Sequence, residues 1–147
     1  MRKPLLVLAV AAAVAFAAVG AAAAATAAVS IERKAELLAG LAVEVQVNVT
    51  CPAPELTTPI NLNVQLQQLQ KTHDGSVVVS GSGFVSNATC DGAKRTYPVL
   101  VRTFASVGQP LPLFRRGPAL ATATLFSCST FCSTIGTQAF AEVRIAG

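Results

Sequence analysis

The sequence predicts an all-β protein, an antiparallel β-sandwich of seven or eight short strands. Three observations carry that expectation. Apolar and polar residues alternate with period two in several segments, turn-forming residues separate those segments, and no long helical repeat occurs. Two sheets meeting through their apolar faces would bury such a pattern.

Each element follows from its own residues. The stretch IERKAELLAG fits an edge strand or a short helical turn, and Ser30 to Leu38 is assigned to a strand. From Leu41 the chain reads LAVEVQVNVTC, with Leu41, Val43, Val45, Val47, Val49 and Cys51 on one parity and polar residues on most of the other. INLNVQLQ repeats the alternation with Ile60, Leu62, Val64 and Leu66, after a break at CPAPELTTP. QKTHDGS interrupts it, and Asp74-Gly75 supplies the positive φ angles of a tight hairpin before Ser76 to Ser80 resumes as strand. Phe84 to Cys90 and Thr96 to Phe104 are shorter strands, the latter with Tyr97, Val99 and Val101 on one side. The loop SVGQPLPLFRRGP precedes two final alternating segments, Ala119 to Cys128 and Gln138 to Ile145.

The first residues direct the chain out of the cytoplasm. Arg2 and Lys3 precede an apolar core from Leu5 to Val19, and AAAAATAAVS offers small-x-small cleavage sites around Ala25 to Ala28. This predicts a signal peptide over residues 1–27. A retained membrane anchor is the competing reading, because no charge occurs from Pro4 through Ile31. Alanine and threonine, rather than leucine, fill the second half of that run, which favours cleavage. Cutting before Ala28 leaves 120 of the 147 residues, a single domain over 28–147 with no membrane span. It also removes Arg2 and Lys3, lowering the net charge from +4 to +2. So small a surplus, without a basic stripe interleaved with aromatics, argues against nucleic acid.

Four cysteines in an exported chain predict a disulfide framework. Cys51 and Cys90 each end a predicted strand, and Cys128 and Cys132 flank three residues at a strand end. The expected pairs are therefore Cys51 with Cys90 and Cys128 with Cys132. Zinc would need all four thiolates to converge, since the chain has a single histidine. A redox couple is disfavoured by the C-x3-C spacing and by the lack of a predicted helix start beside it.

No catalytic or cofactor constellation is expected. His73-Asp74 would suit a general base, but turn chemistry already explains the pair. None of the serines lies in a G-x-S-x-G context. The glycines of GSGF, residues 81–84, mark a bulge or a place where a ligand approaches the backbone. Phe114, Arg115 and Arg116 form a candidate surface contact for an anionic or carbohydrate polymer, set against the simpler reading that Phe114 seals the end of the sandwich while the arginines stay hydrated. Asn48-Val49-Thr50 and Asn87-Ala88-Thr89 match the glycosylation sequon, both within predicted strands.

The segments VEVQVNVTCP, GSGFVSNATCDG and FRRGPALATATLFSCSTFC, with the terminal AEVRIAG, resemble small secreted actinobacterial proteins with an immunoglobulin-like β-sandwich and no assigned activity. The resemblance spans about residues 41–147. It implies that architecture, export and two disulfides of local order, and it brings no catalytic residue. More distantly, the chain is similar in fold type to the neocarzinostatin-type apoproteins, secreted two-disulfide sandwiches that carry a small aromatic chromophore. It departs from antibody-type domains in having no tryptophan and no tyrosine two residues before a cysteine.

The expected function is that of a secreted, non-enzymatic binding or structural module associated with an unknown extracellular or cell-envelope component, with no cofactor. The alternative is a small-ligand carrier whose pocket, at one end of the sandwich, is lined by Phe84, Phe104, Phe114 and Phe126.

Overall fold

Strands dominate the computed structural model, which describes residues 26–38, 41–53, 59–104, 111–128 and 130–147. The signal-peptide expectation falls almost wholly on residues 1–25, outside the described residues. In chain order the strands are β1 (Ala28–Leu38), β2 (Ala42–Thr50), β3 (Ile60–Thr72), β4 (Gly75–Val85), β5 (Lys94–Thr103), β6 (Gly117–Cys128), β7 (Cys132–Thr134) and β8 (Ala139–Ala146).

Period-two alternation places the apolar parity of each long strand in one interior. Val43, Val45 and Val47 from β2 are fully buried, as are Leu62, Val64 and Leu66 from β3. Val99 and Val101 of β5, Leu125 of β6 and Ile145 of β8 join them at 0–1 % exposure. At this density the interior is a packed core rather than a chamber.

The expected antiparallel immunoglobulin-like sandwich is overturned by the strand pairing. Around the sheet the order is β3-β4-β5-β2-β1-β8-β6, and β6 then pairs back with β3, from Ile60↔Ser127 to Gln67↔Leu120. That ladder closes seven strands into a barrel, with β7 continuing beside β6 beyond the end of β8. An odd number of strands cannot alternate direction all the way around a ring, so one neighbouring pair must be parallel. It is β1 with β8, joined only through Lys34↔Arg144, Ala35↔Ile145 and Glu36↔Ala146. Alternation reports that one face of a strand is buried, and it reads the same whether that face meets an opposing sheet or the inside of a closed one.

Glycines let two strands approach closely. Gly81 and Gly83 occupy inward positions on β4, and a Cβ at Gly81 would lie 2.5 Å from the Arg102 carbonyl oxygen and 2.9 Å from the Phe114 ring. At Gly83 it would lie 2.6 Å from the Leu100 carbonyl oxygen. The backbone of β5 thus occupies the space that side chains would need, although β4 and β5 share only the pairs Gly81↔Thr103 and Ser82↔Arg102. The close approach allowed by GSGF is that of a neighbouring strand.

Other departures are local. β3 runs on to Thr72, well past the predicted end at Gln67, and β4 is one strand from Gly75 to Val85 where two were expected. Cys90 consequently lies in the β4–β5 connection, and β7 was not foreseen. His73 and Asp74 form the β3–β4 turn, closed by Thr72↔Gly75. Positive φ there is confined to Gly75, at 138°.

Candidate functional site

One end of the barrel is sealed by the segment 111–116, and β3 carries the residues that hold it. Beyond Leu66 the polarity of β3 inverts, so that Gln68 and Gln70 point inward and are 3 % and 9 % exposed, while Leu69 is 68 % exposed. The Gln68 side-chain amide donates to the carbonyl oxygen of Arg115 at 2.7 Å and accepts from the Arg115 backbone N–H at 2.9 Å. Gln70 donates to the Leu113 carbonyl oxygen at 2.8 Å and to the Gln68 side-chain oxygen at 2.7 Å. A loop crossing a core end brings backbone groups that need partners, and the two glutamines supply them. The broken alternation in LQQLQ was the visible signal of this clamp.

That geometry separates the three residues of the sequence-derived surface contact. The Phe114 ring is buried at 2 % exposure, seated against Gly81, and presents no face to a partner. Arg115 and Arg116 are exposed. The four phenylalanines of the carrier reading do not gather around one space either. Phe114 is inside, Phe104 is 61 % exposed, and Phe84 and Phe126 touch on the outer wall with ring centroids 5.9 Å apart.

The cysteines pair as expected, Cys51 with Cys90 and Cys128 with Cys132, at Cα separations of 4.8 and 4.0 Å. The first fastens the β4–β5 connection to the end of β2, where the Gly92 N–H also donates to the Cys51 carbonyl oxygen at 2.9 Å. Arg95 donates to the Asp91 carboxylate in the same connection. That contact, helped by the Ala93 N–H, holds the Asp91 carboxyl below its ordinary value. The second bridge closes the β6–β7 hairpin at Cys128↔Cys132.

His73 sits at the tip of its turn with a fully exposed side chain, 3.1 Å from Asp74. Of the two sequons, Asn48 lies on β2 and its side chain donates to Glu32 at 3.5 Å. Asn87 is exposed in a bend after β4 with φ 57°, outside any strand.

The outer wall holds the feature that the sequence reading missed. The outward residues of β1, β2, β5 and β8 include Glu32, Lys34, Glu44, Arg102, Glu142 and Arg144. Across β4, β3 and β6, by contrast, the only charged residue is Lys71, beside the hairpin tip. The outward positions there run from Asn61, Asn63, Gln65 and Gln67 on β3, flanked by Ser80 and Ser82 on β4 and by Thr122 and Thr124 on β6, to the exposed apolar Leu69, Val78 and Leu120 toward the hairpin end. Asn61 accepts from the Asn87 N–H at 3.4 Å. Asn63, Gln65, Gln67, Thr122 and Thr124 have no side-chain hydrogen bond among the described residues. Phe84 and Phe126 stand at one end of this wall. Beside Phe126 an open depression of about 360 Å³ is lined by Asn63, Gln65 and Thr124, with Cys132, Ser133 and Thr134 of β7 along one side. The amides were legible in INLNVQLQQ as alternating polar residues. That Asn63 has Phe84 and Thr124 as its lateral neighbours depends on which strands lie next to β3.

No protein-family model matches this chain, and no curated protein or solved structure matches it. Fold and surface define it as a filled, disulfide-bridged β-barrel with one uncharged wall.

Proposed function

We propose that this protein is an exported, non-catalytic binding module that associates with the cell envelope through the outer wall of β4, β3 and β6. The observation that carries this reading is the charge asymmetry of the barrel, with charged outward residues spread over four strands and the other three nearly free of them. Solvated strand faces ordinarily carry charges, and an uncharged stretch with an exposed Phe84 beside a half-buried Phe126 is a contact surface in waiting. Two disulfides suit an oxidising compartment. No helix among the described residues is long and apolar enough to cross a membrane. The filled interior leaves the outside of the barrel as the surface on which function is built, and no observation favours carrying the small-ligand reading forward.

Co-sedimentation with envelopes isolated from the producing cells tests the proposal. The double substitution Asn63→Ala/Gln65→Ala is expected to weaken binding by about tenfold or more, whereas Arg115→Ala/Arg116→Ala leaves it unchanged. Equal binding by the Asn63/Gln65 variant and the unaltered protein, or no binding by either, would sink the reading.

A further inference from the structure

The composition of the wall narrows what it binds. Resting on the function just proposed, we infer that the wall's ligand is a neutral polysaccharide, held across Asn63, Gln65 and Thr124 with a sugar face against Phe126.

Charge gives the first argument. An anionic polymer is held by lysine and arginine, and the sole cation on these three strands is Lys71, at the hairpin end opposite Phe126. A cationic partner would need carboxylates, and these strands carry none. The complement of an uncharged surface is an uncharged ligand.

Hydrogen-bond chemistry gives the second. Each sugar hydroxyl donates and accepts, so it is best met by groups that also do both. Asparagine, glutamine, serine and threonine are such groups, whereas a carboxylate only accepts and an ammonium only donates. On this wall their side-chain bonding capacity is not spent internally, since Asn63, Gln65, Gln67, Thr122 and Thr124 have no side-chain hydrogen bond among the described residues. Rigid strands space them at about 7 Å along β3 and about 5 Å from strand to strand, a ladder suited to a repeating polymer.

The third argument is shape. The depression of about 360 Å³ is open, so a chain can pass through it without threading an end. The half-buried Phe126 ring that lines it would supply the apolar surface against which the C–H face of a sugar packs. The disulfide-closed β6–β7 hairpin forms a side wall bearing Ser133 and Thr134. A protein partner fits less well, because, of the aromatic, arginine and methionine residues that enrich interface centres, the outward positions of these three strands carry only Phe84 and Phe126, and the surface between them and the hairpin end is amides and hydroxyls.

Affinity electrophoresis in native gels cast with dextran, mannan, galactan or xylan, with polygalacturonate as the anionic comparison, tests the inference. At least one neutral polymer should retard the protein, and high salt should not abolish the effect. Asn63→Ala/Gln65→Ala and Phe126→Ala should each reduce retardation by about tenfold, and the near-isosteric Thr124→Val should reduce it with far-ultraviolet circular dichroism unchanged. Retardation by polygalacturonate alone, or by none of the polymers, overturns the assignment. So does wall-dependent envelope binding that protease treatment of the envelopes destroys, which would identify a protein partner. In each of those cases envelope binding that depends on Asn63 and Gln65 leaves the module reading standing, and its absence removes that reading as well.

Discussion

Gln68 shows how one side chain can decide whether a barrel end stays shut. Its amide pairs with both the N–H and the carbonyl oxygen of Arg115, and truncation would strand those groups in a partly buried site. Gln68→Leu is expected to lower stability by about 3 kcal/mol in urea unfolding, despite the better hydrophobicity of leucine in a core. Phe114→Ala, which empties the space beneath the same loop, should lower it by about 4 kcal/mol. Arg115→Ala/Arg116→Ala, made in exposed side chains, should change it by less than about 0.5 kcal/mol. Asp91 carries the pH dependence. Arg95 and the Ala93 N–H favour its charged form, so its folded pKa lies below the unfolded one. Its contribution is then complete above the ordinary carboxylate value of about 3.9 and is lost as pH falls through the lower folded value. Melting temperatures of the protein and of Asp91→Asn should differ near neutrality and converge in acid. A difference that persisted in strong acid would contradict this assignment.

The strands differ in how firmly they are stitched. β2 and β5 share nine residue pairs, from Ala42↔Arg102 to Thr50↔Lys94, while β1 and β8 share three and β4 and β5 two. The parallel seam is short because β1 is irregular between Ile31 and Ala35, so its first half runs free of β8. Parallel pairing is also slightly weaker per residue. Amide hydrogen exchange is therefore expected to be fastest, among the residues of the seven barrel strands, along the two short contacts, β1–β8 at 34–36 and 144–146 and β4–β5 at 81–82 and 102–103, and slowest in β2 and in the β3–β6 ladder. Uniform protection around the barrel would show that the seam is not its weak line. The strands themselves were readable from alternation because a half-buried strand must show apolar residues at every second position. The continuation of β3 was not, since Gln68 and Gln70 face inward for the sake of a loop more than 40 residues away in the chain.

For the molecule as a whole, the disulfides act on the unfolded chain. The Cys51–Cys90 bridge spans 39 residues and should stabilise by about 4 kcal/mol, and the Cys128–Cys132 bridge spans 4 and should add about 2 kcal/mol. Paired serine substitutions are expected to show that order in thermal melts, and the reverse order would argue that hairpin closure matters more than loop entropy. Ala27, the last residue of the expected signal peptide, is 4 % exposed and packs against Gly136 as part of the barrel. Under the export proposed above, the mature chain is expected to keep Ala27, and mass spectrometry that finds Ala28 at the amino terminus of secreted protein would contradict this.

The alternating strands, the β3–β4 turn and both cysteine pairings could be read from the chain alone: alternation and turn chemistry depend on neighbours in sequence, and the pairings are inferred from where the cysteines fall along the predicted strands. Closure of the sheet depended on contacts between distant segments. The ladder joining β3 to β6, the parallel meeting of the first and last strands, and the close approach of β5 to β4 at Gly81 and Gly83 all turn on which edges meet. Alternating hydrophobicity says which way a side chain points and is silent about the strand beside it, so both the barrel and the uncharged wall became visible only once the strands had neighbours.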